Sequence, residues 1–340
     1  MRRLWIGVFV LILGLAAFPP VGAQVQTIDP ERRLAERFRF TADELSRARS
    51  GQAVAKLLPR NDATDVGVVA AVRINAQASR LVDWLRNIAD FRRAAELGQA
   101  RRLSDPPQIG DFADLSLDAG ELAALRECRP GRCELLLGDT AITRFKADVD
   151  WTSADAGQRA SLVMRQLLLD YAGAYLKGGD RALGALHDEK HPRARIDEFH
   201  QVLWQSKELY NIAPALTAYL EQFPASPPAA GEQFLYWARP TAGPETSLAL
   251  NQIVISSAPG GDTLVVDKQL FASRYVDARL LVISLAPLPG SEGFYAIVGA
   301  RARSRLLGGT AARLLRGTVE KSMLDTTTMY LEWVRASLTM

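Results

Sequence analysis

A run of strand-like segments followed by one long helical segment occupies the last third of the chain. The segments between residues 234 and 307 are rich in Val, Ile, Leu, Phe and Tyr, which pack well on a pleated sheet, and turns containing Gly, Pro and Asp separate them. The apolar segments are FLYWAR, LNQIVISS, LVVDKQLF, VDARLLVISL and FYAIVGARAR. Since a sheet with an apolar face must be covered, the sequence predicts an antiparallel sheet with the following helix packed on it.

The C-terminal helix is predicted from about Thr310 to Leu338. Its apolar side chains recur at intervals of four or seven residues and therefore share one face. They are Leu315, Val319, Met323, Tyr330 and Val334. Met fills irregular gaps and Tyr carries a polar tip, so we expect Val319, Met323 and Tyr330 to line an apolar cavity against the strands.

The first 23 residues have the pattern of a secretory signal peptide. Arg2 and Arg3 give a positive start, residues 4–18 form an apolar run, and residues 21–23 are small, as a cleavage site requires. The run is shorter than the roughly 20 residues of a membrane span. We expect its removal on export, which leaves no stable membrane span and a periplasmic or secreted protein of a bacterial envelope. An uncleaved anchor or a buried N-terminal helix is the alternative.

Composition and charge limit the classes of partner. The chain has 340 residues, 48% of them hydrophobic, and a formal charge of +3. Loss of Arg2 and Arg3 with the signal peptide would lower the 41 basic residues to 39, against 38 acidic ones. A nearly neutral chain with mixed charges does not favour binding to nucleic acid.

The two cysteines, Cys128 and Cys133, flank a Pro-Gly turn. Such a turn can bring two Cβ atoms close together, and an exported protein meets an oxidising compartment, so we expect a structural disulfide. A metal site would need two further ligands, and no neighbouring His or Cys supplies them.

Residues 50–95 and 232–338 carry a resemblance to a known superfamily. A leader at residues 24–49 contains a short predicted helix, and two strand patterns follow it. The second continues as Val68-Val-Ala-Ala-Val-Arg-Ile-Asn-Ala-Gln-Ala-Ser-Arg-Leu-Val-Asp-Trp-Leu. This segment resembles the opening of START-like domains, also called the SRPBCC or helix-grip superfamily. Val266-Asp-Lys-Gln-Leu-Phe-Ala-Ser-Arg-Tyr and Arg303-Ser-Arg-Leu-Leu-Gly-Gly resemble segments of uncharacterised exported bacterial members.

The resemblance implies an α+β fold in which a curved antiparallel sheet wraps around a long C-terminal helix, the helix grip. It also implies a cavity for an apolar small molecule or lipid between sheet and helix, without implying a particular chemistry or a cofactor. Residues 50–340 would form one domain, interrupted by a helical insertion at about 96–230 that packs on the sheet and is a candidate lid. Helical patterns at 123–126, 158–176, 196–209 and 214–223 support the insertion.

No sequence motif indicates a catalytic or metal site. In His187-Asp-Glu-Lys-His191 two imidazoles lie four residues apart, but Asp188 replaces the Glu of the zinc-protease motif and Pro192 disfavours a continuing helix. We therefore interpret this segment as a charged loop between helices, with His200 in a separate pattern.

Polar residues within the apolar strands are candidates for orienting a ligand. Tyr236, Lys268 and Tyr275 place polar tips in the strand region, with Gln269 and Arg274 beside them. An exposed edge would place the same residues in water. Arg301, with Arg303 and Arg305, precedes the start of the last helix, where an anionic head group can meet backbone N–H groups, although a solvated basic loop has the same pattern.

The sequence is compatible with three classes of function. The first is an exported binding or carrier protein for a lipid-like molecule. The second is an enzyme on an apolar substrate that uses Tyr275 or His200 in acid–base roles. The third is an envelope interaction protein with a solid core.

Overall fold

The computed structural model describes residues 29–225, 231–240, 247–309 and 312–339. The predicted signal peptide lies outside the described residues. None of the described helices is long and apolar enough to cross a membrane.

An eight-stranded antiparallel sheet forms the centre of the described structure. Its long strands form where runs rich in β-branched and aromatic residues lie between Gly-, Pro- and Asp-containing turns. The strands are β1 (Val54–Leu57), β2 (Asp65–Ile74), β3 (Gln99–Arg102), β6 (Glu232–Arg239), β7 (Ala249–Ser257), β8 (Thr263–Ala272), β9 (Ala278–Pro287) and β10 (Phe294–Arg303). Their spatial order is β1-β2-β10-β9-β8-β7-β6-β3. A separate small hairpin pairs β4 (Ala185–Leu186) with β5 (Arg193–Ala194).

Eleven α-helices occur in the described part of the chain. Three of them follow or flank the sheet strands directly: α3 (Ala78–Arg86), α4 (Ile88–Ala94) and α11 (Ala312–Thr339). Two precede the sheet: α1 (Pro30–Phe38) and α2 (Ala42–Arg49). Six lie between β3 and β6: α5 (Ala119–Glu127), α6 (Asp139–Asp148), α7 (Ala156–Gly178), α8 (Arg195–Gln205), α9 (Lys207–Tyr210) and α10 (Pro214–Gln222).

The chain order around the sheet confirms the predicted α+β fold. The long strand β2 leads into the helix pair α3–α4 and then β3, which pairs with β6 at the far edge. Strands β6 to β10 follow as a meander, and β10 returns to pair with β2 before α11 begins. The result is an antiparallel sheet with a long C-terminal helix on one face, as a helix grip requires, and a helical insertion between β3 and β6.

The sheet is buried on both faces. We call the face covered by α3, α4 and α11 the inner face and the face covered by α1, α2 and the insertion the outer face. In β10, for example, Tyr295 and Ile297 pack on the outer face, whereas Ala296 and Val298 pack on the inner face. Antiparallel sheets commonly leave one face in water, so two covered faces set this sheet apart.

The buried stripe of α11 differs from the predicted one. Leu331, Val334 and Leu338 are its buried side chains, so only Val334 of the predicted stripe is buried, and Leu315 is 41% exposed. The physical reason is the position of the helix: its close backbone contacts are with β1, β2 and α3, and its last turns meet the core there. Val319, Met323 and Tyr330 are half-buried.

The insertion lies on the outer face, opposite α11. Its α8 crosses β9 and β10, and the α7 hydroxyls of Tyr171 and Tyr175 donate to the Leu270 carbonyl at 3.1 Å and to Gln252 Oε1 at 2.6 Å. Because Gln99–Arg102 is a strand of the sheet, the insertion begins at residue 103 rather than 96. It covers the outer face and does not close over the space between the sheet and α11.

The predicted disulfide joins Cys128 to Cys133. The loop between them hydrogen-bonds to the β4–β5 hairpin, because the backbone N–H of Gly131 donates to the His187 carbonyl at 2.8 Å and that of Cys133 to the Asp188 carbonyl at 3.0 Å. The cross-link is confirmed, and it fits an oxidising compartment.

Candidate ligand site

A cluster of polar side chains lies on the inner face among apolar neighbours. The Tyr236 hydroxyl donates to Asp267 Oδ2 at 2.8 Å, and Arg279 Nη2 donates to the same oxygen at 3.0 Å and to Asn251 Oδ1 at 3.4 Å. These residues come from β6, β7, β8 and β9 and share the face of Ile253 and other inner-face apolar residues. Asp267 Oδ1 is buried and has no hydrogen-bond partner among the described residues.

The charge states of this cluster follow from its burial. Burial, and then the Asp267 carboxylate, raise the pKa of Tyr236. Burial and the same carboxylate also raise the pKa of Tyr330 on α11, while Arg92 on α4 acts in the opposite direction. Burial works to lower the pKa of Arg279, but the Asp267 carboxylate and the Tyr236 hydroxyl together outweigh it and raise that pKa. Both tyrosines are therefore neutral hydroxyls, and the cluster holds an Arg279–Asp267 ion pair.

Side chains on both sides of the gap between sheet and helix remain accessible. On the sheet, 29% of the Arg279 side chain is exposed and Leu281 is half-buried, although both lie in a central strand. On α11, which covers the same face, Val319 and Met323 are also half-buried. We infer that the sheet and this part of α11 are not packed together, and we call the space the inner crevice.

Aromatic packing closes one end of the inner crevice. The ring of Phe91 on α4 lies 6.0 Å from that of Tyr330 and 5.6 Å from that of Trp333, both edge-on. Such pairs contribute roughly 0.5–1.5 kcal/mol each beyond their buried area. The crevice is therefore closed towards the C-terminus of α11.

The predicted ligand residues divide between the two faces. Tyr236, Val319, Met323 and Tyr330 lie on the inner side of the sheet or on the α11 face towards it. Lys268 and Arg301 lie on the outer face, and Tyr275, 38% exposed, lies in the β8–β9 turn with a φ of 66°. The structure does not bring these seven residues together around one cavity.

Carboxylates hold the outer-face cations. Lys268 Nζ lies 2.6 Å from Asp180 Oδ1 and 3.9 Å from the centre of the Phe199 ring, and Arg301 lies 2.5 Å from Asp65. Arg303 and Arg305 are likewise paired, with Asp62 and Glu198 and with Asp188 and Glu189. These contacts connect the sheet with the insertion and with the β1–β2 turn.

The histidine motif lies in a loop, as interpreted from the sequence. Residues 187–192 join β4 to β5, and His187 Nδ1 lies 2.5 Å from Asp139 Oδ1. His191 and His200 are exposed. Within the described ranges no group of His, Cys, Asp or Glu has the geometry to hold a metal ion.

Two further hollows open on the outer side of the sheet. A wide basin of about 1140 Å³ beside the disulfide has charged walls that include Arg132, Glu134 and Asp188. A smaller pocket of about 460 Å³ lies between α6, α7 and the β4–β5 hairpin and has mainly apolar walls.

Asp267, Arg279 and Arg195 are not among the site residues that the sequence predicts. Asp267 carries a usable signal, because a carboxylate at an inward position between Val265 and Leu270 must find a partner when buried. Arg195 carries no such signal, since a basic residue at a helix start is ordinarily in water.

No family model and no curated protein matches the chain. The chain is similar to the crystal structure of the di-domain ARO/CYC StfQ from the steffimycin biosynthetic pathway, at 12% identity over 80% of this chain and 98% of that one, with a TM-score of 0.25. The strand order and the helix positions define the fold of this chain.

Proposed function

We propose that the protein binds an apolar small molecule or lipid in the inner crevice, as an exported binding or carrier protein. The observation that carries the proposal is the accessibility of Arg279 and Leu281 in the middle of the sheet, on the face that α11 covers with half-buried side chains. Fully packed layers would bury these positions, as they bury Leu331 and Val334 nearer the closed end.

The ligand that fits has an apolar body and one polar end. Leu281, Val319 and Met323 offer apolar contacts along the crevice, whereas the exposed part of Arg279 offers guanidinium N–H donors. Arg279 is already held by Asp267 and Asn251, so it presents those donors in a fixed orientation. A long-chain fatty acid has this combination of groups.

A fluorescent fatty acid, cis-parinaric acid, tests the proposal. Wild-type protein should bind it, and Met323→Trp should abolish binding by filling the crevice. Arg279→Met should weaken binding about 10- to 100-fold, since a charge-assisted hydrogen bond contributes about 1.5–3 kcal/mol. Leu315→Trp is the matched control, because it adds the same indole at an exposed position of α11 and should leave binding unchanged.

Two outcomes count against the inner crevice. Wild-type protein that binds no probe would favour an interaction protein without a cavity. Binding that survives Met323→Trp would place the ligand elsewhere. If the protein is an enzyme that acts in the same crevice, it should convert the extracted ligand into a product.

Export is part of the same proposal. The pattern of residues 1–23 and the disulfide both support it. Mass spectrometry of protein purified from the cell envelope should find Gln24 at the N-terminus, whereas a mature protein that retains Met1 would contradict export by cleavage.

A further inference from the structure

The apolar pocket of the insertion has one charged residue at its base. Its volume of about 460 Å³ falls within the range of small-molecule sites, roughly 300–1,000 Å³. Met164, Leu167, Leu168 and Tyr171 of α7 form much of its wall, and Phe271 of β8 lies opposite. Arg195, the first residue of α8, also lines it.

Arg195 is 6% exposed, and its guanidinium is surrounded mainly by aromatic rings and backbone. The guanidinium carbon lies 5.1 Å from the centre of the Phe271 ring and 5.7 Å from that of Tyr171. One nitrogen, Nη2, donates to the Leu136 carbonyl at 2.6 Å. Within the described part of the chain, no carboxylate lies within 4.0 Å of this guanidinium.

Among the described residues, each of the other strongly buried cations lies within 4.0 Å of a carboxylate. Arg33 lies 2.7 Å from Asp262, Lys268 2.6 Å from Asp180, Arg301 2.5 Å from Asp65, and Arg274 4.0 Å from Glu134. Burying a charge is costly unless an opposite charge or several hydrogen bonds offset the cost. Arg195 therefore differs from these four cations because no carboxylate lies beside it, and it lines a pocket large enough for a ligand.

We propose that this pocket binds a small apolar anion, an aromatic or branched aliphatic carboxylate, with the carboxylate on Arg195 and the hydrocarbon part against α7 and Phe271. The guanidinium fork matches the two oxygens of a carboxylate, and the surrounding rings exclude water that would weaken the ion pair. This site is independent of the inner crevice, since the sheet separates them.

The charges at the mouth of the pocket have their own partners. Asp170 pairs with Arg144 at 2.8 Å, and Asp139 contacts His187 at 2.5 Å. Both carboxylates are more than half exposed, at 54% and 59% of the side chain, so water screens their repulsion of an entering anion. Arg195 at the base stays the buried charge available to the ligand.

Calorimetric titration with naphthalene-2-carboxylate and its neutral carboxamide tests this assignment. The wild-type protein should bind the carboxylate and discriminate against the carboxamide. Arg195→Met, which keeps the length of the side chain, should weaken carboxylate binding at least about 30-fold, since loss of one partner of a buried charge pair has effects of that size. Arg195→Lys should recover part of the affinity.

Matched variants separate this site from the rest of the molecule. Arg144→Met removes a cation at the mouth and should change the affinity by less than about threefold, because that cation is partly in water and already paired with Asp170. Leu167→Trp should block the pocket, and it tests the site even if Arg195→Met fails to fold. Met323→Trp in the inner crevice should have no effect on naphthalene-2-carboxylate.

Three results would overturn the proposal: no binding of the carboxylate by wild-type protein, equal affinity for the carboxamide, or unchanged affinity after both Arg195→Met and Leu167→Trp. None of them bears on cis-parinaric acid in the inner crevice, so the two proposals fail separately.

Discussion

The two faces of the sheet are covered in different ways. On the outer face, interior ion pairs such as Lys268–Asp180 and buried tyrosines such as Tyr175 and Tyr219 fill the space between strands and helices. On the inner face, α11 is packed tightly only over its last turns, and Arg279 and Leu281 remain accessible.

The difference in packing indicates that the two faces have different roles. On the outer face, tight packing and paired interior charges fix the geometry of the strands. A loosely covered face on the same strands can then hold a ligand without loss of the fold, because rigid supports keep binding groups in place. Outside the insertion pocket, mutations on the two faces should therefore differ in what they change: stability on the outer face, binding of the fatty-acid probe on the inner face.

The largest expected effect is at Lys268. Lys268→Ala leaves Asp180 buried without its cation, which should lower the free energy of unfolding by roughly 3–5 kcal/mol. Urea unfolding followed by circular dichroism measures it. The double variant Lys268→Met/Asp180→Leu removes both charges and should recover most of the loss. A change below about 1 kcal/mol for Lys268→Ala would show that the pair does not hold the insertion.

Alkaline pH probes the same face through Tyr219, which is 2% exposed. Burial raises its pKa to about 12, whereas an unfolded tyrosine ionises near 10. A raised acid pKa adds stability in full below pH 10, and that stability is lost as the pH rises from 10 to 12. Tyr219→Phe should lose less stability over this window than wild type, by roughly 2–3 kcal/mol. Parallel pH profiles for the two proteins would contradict the burial of this hydroxyl.

The smallest expected effect compares two positions on α11. Val334→Trp overpacks the closed end and should cost roughly 1–3 kcal/mol of stability. Met323→Trp adds the same ring beside the inner crevice and should change stability by less than about 0.5 kcal/mol. Urea midpoints measure both, and equal losses would mean that the helix is packed along its whole length.

The strands could be predicted closely from the sequence because each contains a dense apolar run between turn residues. Strand β3 was not predicted, since Gln-Ala-Arg-Arg has no apolar pattern and forms only by pairing with β6. Helix α6 was missed for a related reason: Ile142 and Phe145 are its buried apolar residues, too few for a clear helical period.

The candidate sites were harder to predict than the fold. The predicted ligand set combines Tyr236 and Tyr330, which lie on the inner side of the sheet, with Lys268 and Arg301, which lie on the outer face and pair with Asp180 and Asp65. Alternation along a strand separates the two faces, but it does not say which face meets α11 when both are apolar. That information resides in contacts between residues distant in the chain.

The insertion leaves the sheet after β3 and returns at β6, and these two strands are hydrogen-bonded neighbours. In topological terms residues 103–231 are one very long hairpin loop, whose length does not affect the order of the other strands. A short turn could therefore replace the insertion without changing the order of the strands in the sheet. Such a shortened protein would expose Trp237, Val254, Val266 and their neighbours as one apolar sheet surface. Surfaces of that kind drive self-association, so an ancestor or a designed variant without the insertion would need either a polar outer face or a second copy of itself.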